Sequence, residues 1–217
     1  MKPCKMVLFD LDGTVLDTLE DIAQSVNQAL RLYGFPERTR EEVRSFLGNG
    51  SRYLIEKAVP EKASPEEIEL VHQCHNTYYA AHCCVKTAPF DGIPRLLKTL
   101  REHGILTAVV SNKPDNATQE TCRHYFDGCL DAAIGQQDGI ARKPQPDMAM
   151  LVLSRFGIAP EEAVYVGDTE VDYRTALNGG MRPILVSWGF RDREALAALN
   201  AEIITDTMEQ LEKRLLG

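Results

Sequence analysis

Along the chain, short apolar runs alternate with longer stretches in which apolar residues recur every three or four positions. Lys5 to Asp10 is apolar and then abruptly acidic, the pattern of a buried strand that ends at Asp10 and turns at Gly13. Further strand-like runs follow at Ile105 to Ser111, Ala132 to Gly135, Ala163 to Gly167, Pro183 to Ser187 and Glu202 to Thr205. Ile93, Leu96, Leu97 and Leu100 closing at Gly104, and Met148, Leu151, Val152 and Phe156 closing at Gly157, have helical spacing. Each ends on a glycine suited to a left-handed cap. Strands alternating with helices of about 10 to 15 residues predict an α/β fold, a Rossmann-like parallel sheet covered on both faces with right-handed crossovers.

Residues 18–84 break this rhythm. No strand-like run appears there, and three helix starts do, at Thr18 with Asp21, Thr39 with Glu42, and Ser64-Pro65 with Glu67, each resembling a capping box. Ile22, Val26, Ala29, Leu30 and Tyr33 form an apolar stripe ahead of Gly34. The expected organisation is a catalytic α/β core from residues 1–17 and 85–217, with 18–84 inserted as a helical cap that can close as a lid.

Composition narrows the function. Lys and Arg number 24 and Asp and Glu 32, a formal charge of −8, so a polyanion such as nucleic acid is not an expected partner. The longest apolar runs are far shorter than a membrane span of about 20 residues, and an Asp interrupts the N-terminal run before a signal-peptide core could form. These features predict a cytoplasmic protein with its six cysteines reduced. His72, Cys74, His75, His82, Cys83 and Cys84 could suggest metal ligands, but they lie within a helical pattern and read as helix packing. Composition leaves the oligomeric state open.

In an open parallel sheet, ligands bind beyond the carboxyl ends of the strands. Strand one delivers Asp10-Leu11-Asp12-Gly13-Thr14, the run from Ile105 delivers Ser111-Asn112-Lys113, and the run from Ala163 delivers Gly167-Asp168-Thr169-Glu170-Val171-Asp172. Arg142-Lys143-Pro144 lies between the last two. Four carboxylates converging at one sheet edge, Asp10, Asp12, Asp168 and Asp172, would repel one another unless a cation joined them. An all-oxygen donor set favours Mg²⁺.

Asp-x-Asp-Gly-Thr, a strand-end Ser, a Lys-Pro and Gly-Asp-x-x-x-Asp, in this order on alternating β/α units, resemble the haloacid dehalogenase superfamily over essentially the whole chain. Gly48-Asn49-Gly50, Asp168-Thr169 and Ser187-Trp188-Gly189-Phe190-Arg191 resemble its phosphoglycolate phosphatase group. The resemblance implies a Mg²⁺-dependent phosphatase acting on a small phosphorylated metabolite through an aspartyl phosphate, with phosphoglycolate the leading substrate. The alternatives are an inorganic pyrophosphatase, a nucleotidase, a sugar-phosphate phosphatase or mutase, or a non-catalytic binding protein on the same fold. It implies Asp10 as nucleophile and Asp12 as general acid and base, an acid that the superfamily's dehalogenases lack. Asp10, Asp168 and the Asp12 carbonyl would bind Mg²⁺, and Asp172 would act through water or orient its neighbours. Ser111 and Lys143 would hold phosphoryl oxygens, with Asn112 and Thr14 supporting their loops. Arg52, just inside the cap helix that follows Gly48-Asn49-Gly50, either binds a substrate carboxylate or is an exposed helix residue.

Overall fold

The computed structural model describes residues 4–217. Contacts divide the chain into two compact units: one joins the segment ending at Leu16 to Pro89–Gly217, and the other is Asp17–Ala88.

The larger unit begins with β1 (Met6–Phe9), and the chain leaves and re-enters it through the short strands β2 (Leu16–Asp17) and β3 (Ala88–Pro89). The smaller unit holds α1 (Leu19–Leu32), α2 (Arg40–Phe46), α3 (Ser51–Ala58) and α4 (Pro65–His82). The larger unit continues with α5 (Ile93–Glu102), β4 (Leu106–Pro114), α6 (Asp115–Phe126), β5 (Ala132–Gln136) and α7 (Asp147–Phe156). It ends with β6 (Ala163–Gly167), α8 (Glu170–Asn178), β7 (Arg182–Val186), α9 (Arg193–Ala197), β8 (Ile204–Thr205) and α10 (Met208–Leu216).

Six strands form one sheet in the order β5-β4-β1-β6-β7-β8, with parallel pairing throughout. The period of two along a strand explains its two cores. Val7 and Phe9 of β1 face Ile93, Leu96 and Leu97 of α5 and Leu211 of α10, whereas Met6 and Leu8 face Met148 and Val152 of α7 and Ala176 of α8. Burial on both faces is why the strands read as continuous apolar runs. β1 lies between β4 and β6, so Asp10, immediately after it, emerges at the middle of the sheet; its backbone N–H still donates to Val166.

Local signals were realised unevenly. Gly157 caps α7 at φ +66°, and the capping boxes at Thr39 and Ser64 close. The box expected at Thr18 does not. Thr18 sits at ψ −2°, and its buried hydroxyl has no hydrogen-bond partner among the described residues. Asp21 accepts instead from the backbone N–H groups of Val85, Lys86 and Thr87 and from the Thr87 hydroxyl, so three fixed donors outcompete one local cap. The insert has four helices rather than three marked starts, because α3 begins at Gly50, at φ +85° and without a side-chain cap. β4 runs three residues past the expected end, to Pro114, with its register against β5 shifting beyond Val110. His75 is buried against Ser25, His72 meets Ser51 and Asn76, and His82 stacks on Tyr78.

Candidate active site

The loop after β1 folds back on itself, with Leu16 N–H donating to the Leu11 carbonyl and Gly13 N–H to the Leu16 carbonyl. Gly13 is at φ +85°, a conformation that L side chains rarely adopt, and a Cβ there would sit 2.5 Å from Asp168 Oδ2. A Cβ on Gly189 would come within 2.3 Å of the same oxygen and of the Gly13 carbonyl. Two glycines therefore enclose the Asp168 carboxylate. Thr14 Oγ donates to its Oδ1 at 2.8 Å and Phe190 N–H to its Oδ2 at 2.6 Å, while Trp188 Nε1 donates to the Thr14 carbonyl. Thr14 thus acts here on a carboxylate, and the Trp-Gly-Phe loop after β7 fixes the same group from the other side.

Asp172 caps α8. Its Oδ2 accepts from Thr169 Oγ at 2.6 Å and from the backbone N–H groups of Asp168 and Thr169. Its Oδ1 accepts from Lys143 Nζ at 2.8 Å, and Lys143 also lies 2.8 Å from Asp10 Oδ1. Lys143 is itself fixed by Asn112, whose side-chain amide accepts from the Lys143 N–H at 2.9 Å and donates to the Lys143 carbonyl at 3.1 Å. Asn112 was expected to support the phosphate loop; what the structure gives it is a two-bond clamp on the lysine backbone. Ser111 is buried at the same strand end, and its hydroxyl accepts from Lys113 N–H.

Oxygens of Asp10, Asp168 and Asp172 lie within 4.8 Å of one another. Three buried carboxylates share one ammonium, and the imbalance shows in their acidities. Burial pushes Asp10 well above the usual carboxylate range, and Asp172 adds to this against the opposing pull of Lys143. Burial, then Asp172, pushes Asp168 up to about 7 despite its hydrogen bonds from Phe190 and Thr14. For Lys143 burial opposes the charge, but Asp10 and Asp172 outweigh it and hold the ammonium well above its ordinary value. A divalent cation fits this donor set, since it supplies the missing positive charge to a cluster made only of oxygen ligands.

One residue of this site was not singled out from sequence. Lys113, 3% exposed at its side chain, donates from Nζ to Asp12 Oδ1 at 3.1 Å. Its position two residues beyond Ser111 was a usable signal, because that spacing returns a side chain to the same face of a strand. In the smaller unit, Arg52 binds Glu56 through Nε at 2.9 Å and also pairs with Glu69. Its guanidinium is therefore satisfied within its own helices.

The model of the haloacid dehalogenase-like hydrolases matches residues 7–186. A phosphoglycolate phosphatase of Aquifex aeolicus is 32% identical, over 86% of this chain and 86% of its own length. An N-acetylmuramic acid 6-phosphate phosphatase of Pseudomonas aeruginosa is 30% identical, over 95% and 92%. The solved structure of a Lactobacillus delbrueckii subsp. bulgaricus protein ascribed to the phosphoglycolate phosphatases superposes with a TM-score of 0.95 at 36% identity, with both chains covered in full. A parallel sheet bearing this cluster at the end of its central strand, with these relatives, defines the class: the chain belongs to the haloacid dehalogenase-like hydrolases. Within that family it is a phosphatase, a phosphoric monoester hydrolase.

Proposed function

We propose that this phosphatase hydrolyses a small phosphorylated carboxylic acid, phosphoglycolate first among the candidates, with Mg²⁺ and through an aspartyl phosphate on Asp10. The observation that carries the reading is that Asp10 and Asp12 leave one strand end together, the first bonded to Lys143 and the second to Lys113. That provides a nucleophile and a separate proton carrier, the two groups that a double displacement needs. The names of the Aquifex and Pseudomonas relatives support the substrate class, since both specify the phosphate ester of an acid. The second of them favours an amino-sugar phosphate as the alternative substrate.

In this mechanism an Asp10 carboxylate oxygen attacks phosphorus, the bond to the leaving oxygen breaks, and Asp12 delivers a proton so that the leaving group departs as an alcohol. Water then attacks the aspartyl phosphate, giving its proton to Asp12 and releasing inorganic phosphate and the Asp10 carboxylate. Lys143 and the Ser111 hydroxyl hold phosphoryl oxygens, and the positive charge of Lys143 offsets what the phosphoryl group brings. Asp10, Asp168 and the Asp12 carbonyl are the ligands we assign to Mg²⁺, with Asp172 orienting Lys143 and the loop before α8. Bound there, the ion supplies Lewis-acid stabilisation of the transferring group. A cytoplasmic setting belongs to the proposal and is supported by six cysteines that form no disulfide among the described residues.

A screen of phosphorylated metabolites with Mg²⁺, ranked by kcat/KM, tests the substrate. Phosphate esters of short carboxylic acids should lead, and a ranking headed by pyrophosphate or nucleotides would overturn the assignment.

A further inference from the structure

We infer that Lys113 is a positioning residue for the proton-transfer group Asp12, fixing which of its two carboxylate oxygens meets the leaving group. The inference rests on the reading of Asp12 as general acid and base.

The two carboxylates of Asp-x-Asp each have their own buried lysine. Lys143 serves Asp10 and is shared with Asp172. Lys113 serves Asp12, with side chains 3% and 18% exposed respectively. A carboxylate as open as that of Asp12 can rotate, and its two oxygens are chemically equivalent until a neighbour distinguishes them. Lys113 does so, because its Nζ donates to Oδ1 at 3.1 Å. An oxygen accepting a bond from an ammonium is a poor site for the transferable proton, which is thereby assigned to Oδ2.

The lysine is well placed to impose this. It lies in the extension of β4 past Val110, close to the Ser111 hydroxyl that accepts from its backbone N–H at 3.2 Å, and Thr118 Oγ anchors its carbonyl. A long flexible stem ordered in the interior loses side-chain entropy, and its burial removes most of the hydration of the ammonium. A solvated surface pair would achieve neutralisation more cheaply, so the burial itself argues that orientation is what is secured.

The test is the rate of the first phosphoryl transfer in single turnovers, measured with ethyl phosphate, whose alkoxide needs a proton, and p-nitrophenyl phosphate, whose phenolate does not. The variants are Lys113→Met, Lys113→Arg, Asp12→Asn and the double variant Lys113→Met/Asp12→Asn, each checked for wild-type melting. Lys113→Met should lose about tenfold or more with ethyl phosphate and little with p-nitrophenyl phosphate, a fraction of the 10²–10⁴ that general acid catalysis supplies. Lys113→Arg should restore part of the loss. In the Asp12→Asn background Lys113→Met should add no more than about twofold, because the two residues act as one unit. Equal losses on both substrates, or a loss that multiplies that of Asp12→Asn, would show Lys113 acting on the phosphoryl group or the fold and would overturn the inference alone. Should Asp12→Asn itself show no dependence on leaving group, the acid assignment falls and takes the inference with it. If the Met variant melts early, the Arg variant and its partial recovery decide the question on the same two substrates.

Discussion

Gly189→Ala probes the enclosure of Asp168 with a single methyl group. Gly189 lies outside the left-handed φ range that favours glycine, so the substitution brings no left-handed backbone strain. Its Cβ would lie 2.3 Å from Asp168 Oδ2, 2.3 Å from the Gly13 carbonyl oxygen and 2.4 Å from Asp168 Cβ. Restoring ordinary contact requires a shift of roughly 1 Å. Asp168 cannot supply it freely, because Thr14 Oγ holds one oxygen and the Phe190 N–H holds the other at 2.6 Å. Overpacking of this kind costs about 1–3 kcal/mol, and losing a hydrogen bond to a charged group about 1.5–3 more. For a chain of this size each kcal/mol is about 2–4 °C, so melting should fall by roughly 5–25 °C. The displaced carboxylate is also a proposed metal ligand, so Mn²⁺ binding followed by electron paramagnetic resonance should weaken by about tenfold or more, equivalent to ~1.4 kcal/mol. Gly34→Ala is the control: it has positive φ but, among the described residues, nothing within 4 Å of the added Cβ, and should lose stability through backbone strain without changing cation affinity. A Gly189→Ala protein with wild-type melting and wild-type Mn²⁺ affinity would refute the reasoning.

Metal-free stability should depend on pH in an unusual direction. Asp10 is raised well above the ordinary Asp value and Asp168 to about 7. The folded state therefore binds more protons than the unfolded chain between about pH 4 and 7, and stability in EDTA should fall as pH rises through that window. Added Mg²⁺ should raise melting more at pH 8 than at pH 5.5, and an EDTA profile that climbs from 5.5 to 8 would contradict the cluster. Lys143→Met leaves Asp10 and Asp172 buried without their ammonium; it should cost about 3–5 kcal/mol in chemical denaturation and lower kcat/KM at least 100-fold. Arg52→Ala should change kcat/KM for phosphoglycolate by less than about threefold, since Glu56 and Glu69 already hold the guanidinium and an exposed pair contributes little. A tenfold loss confined to carboxylated substrates would instead return Arg52 to a binding role.

What could be read from the chain was what depends on period and on strand ends. The alternation of buried strands and amphipathic helices contains the parallel sheet, and Asp10, Ser111 and Asp168 each stand where an apolar run stops. Contacts decided by distant partners were hidden. Thr18 and Asp21 have the spacing of a capping box, yet Asp21 is claimed by residues more than sixty positions away. Asn112 lies beside Ser111, the serine proposed to hold phosphate, but its amide fits the backbone of Lys143. Lys113 is named at the strand end but takes no role from the pattern, because Asn-Lys-Pro ends the apolar run, whereas the strand continues through it. Gly189 stands in the Trp-Gly-Phe run on which the family resemblance partly rests, but the reason a glycine is needed there was hidden, since it arises where the loop after β7 meets Asp168.

The central claim is a double displacement through Asp10, and the configuration at phosphorus reports it directly. Hydrolysis of a substrate made chiral at phosphorus with sulfur and oxygen isotopes, in isotopically labelled water, should proceed with net retention, because attack by Asp10 and then by water each invert the centre. Net inversion would mean that water attacks the substrate itself, and would contradict the account.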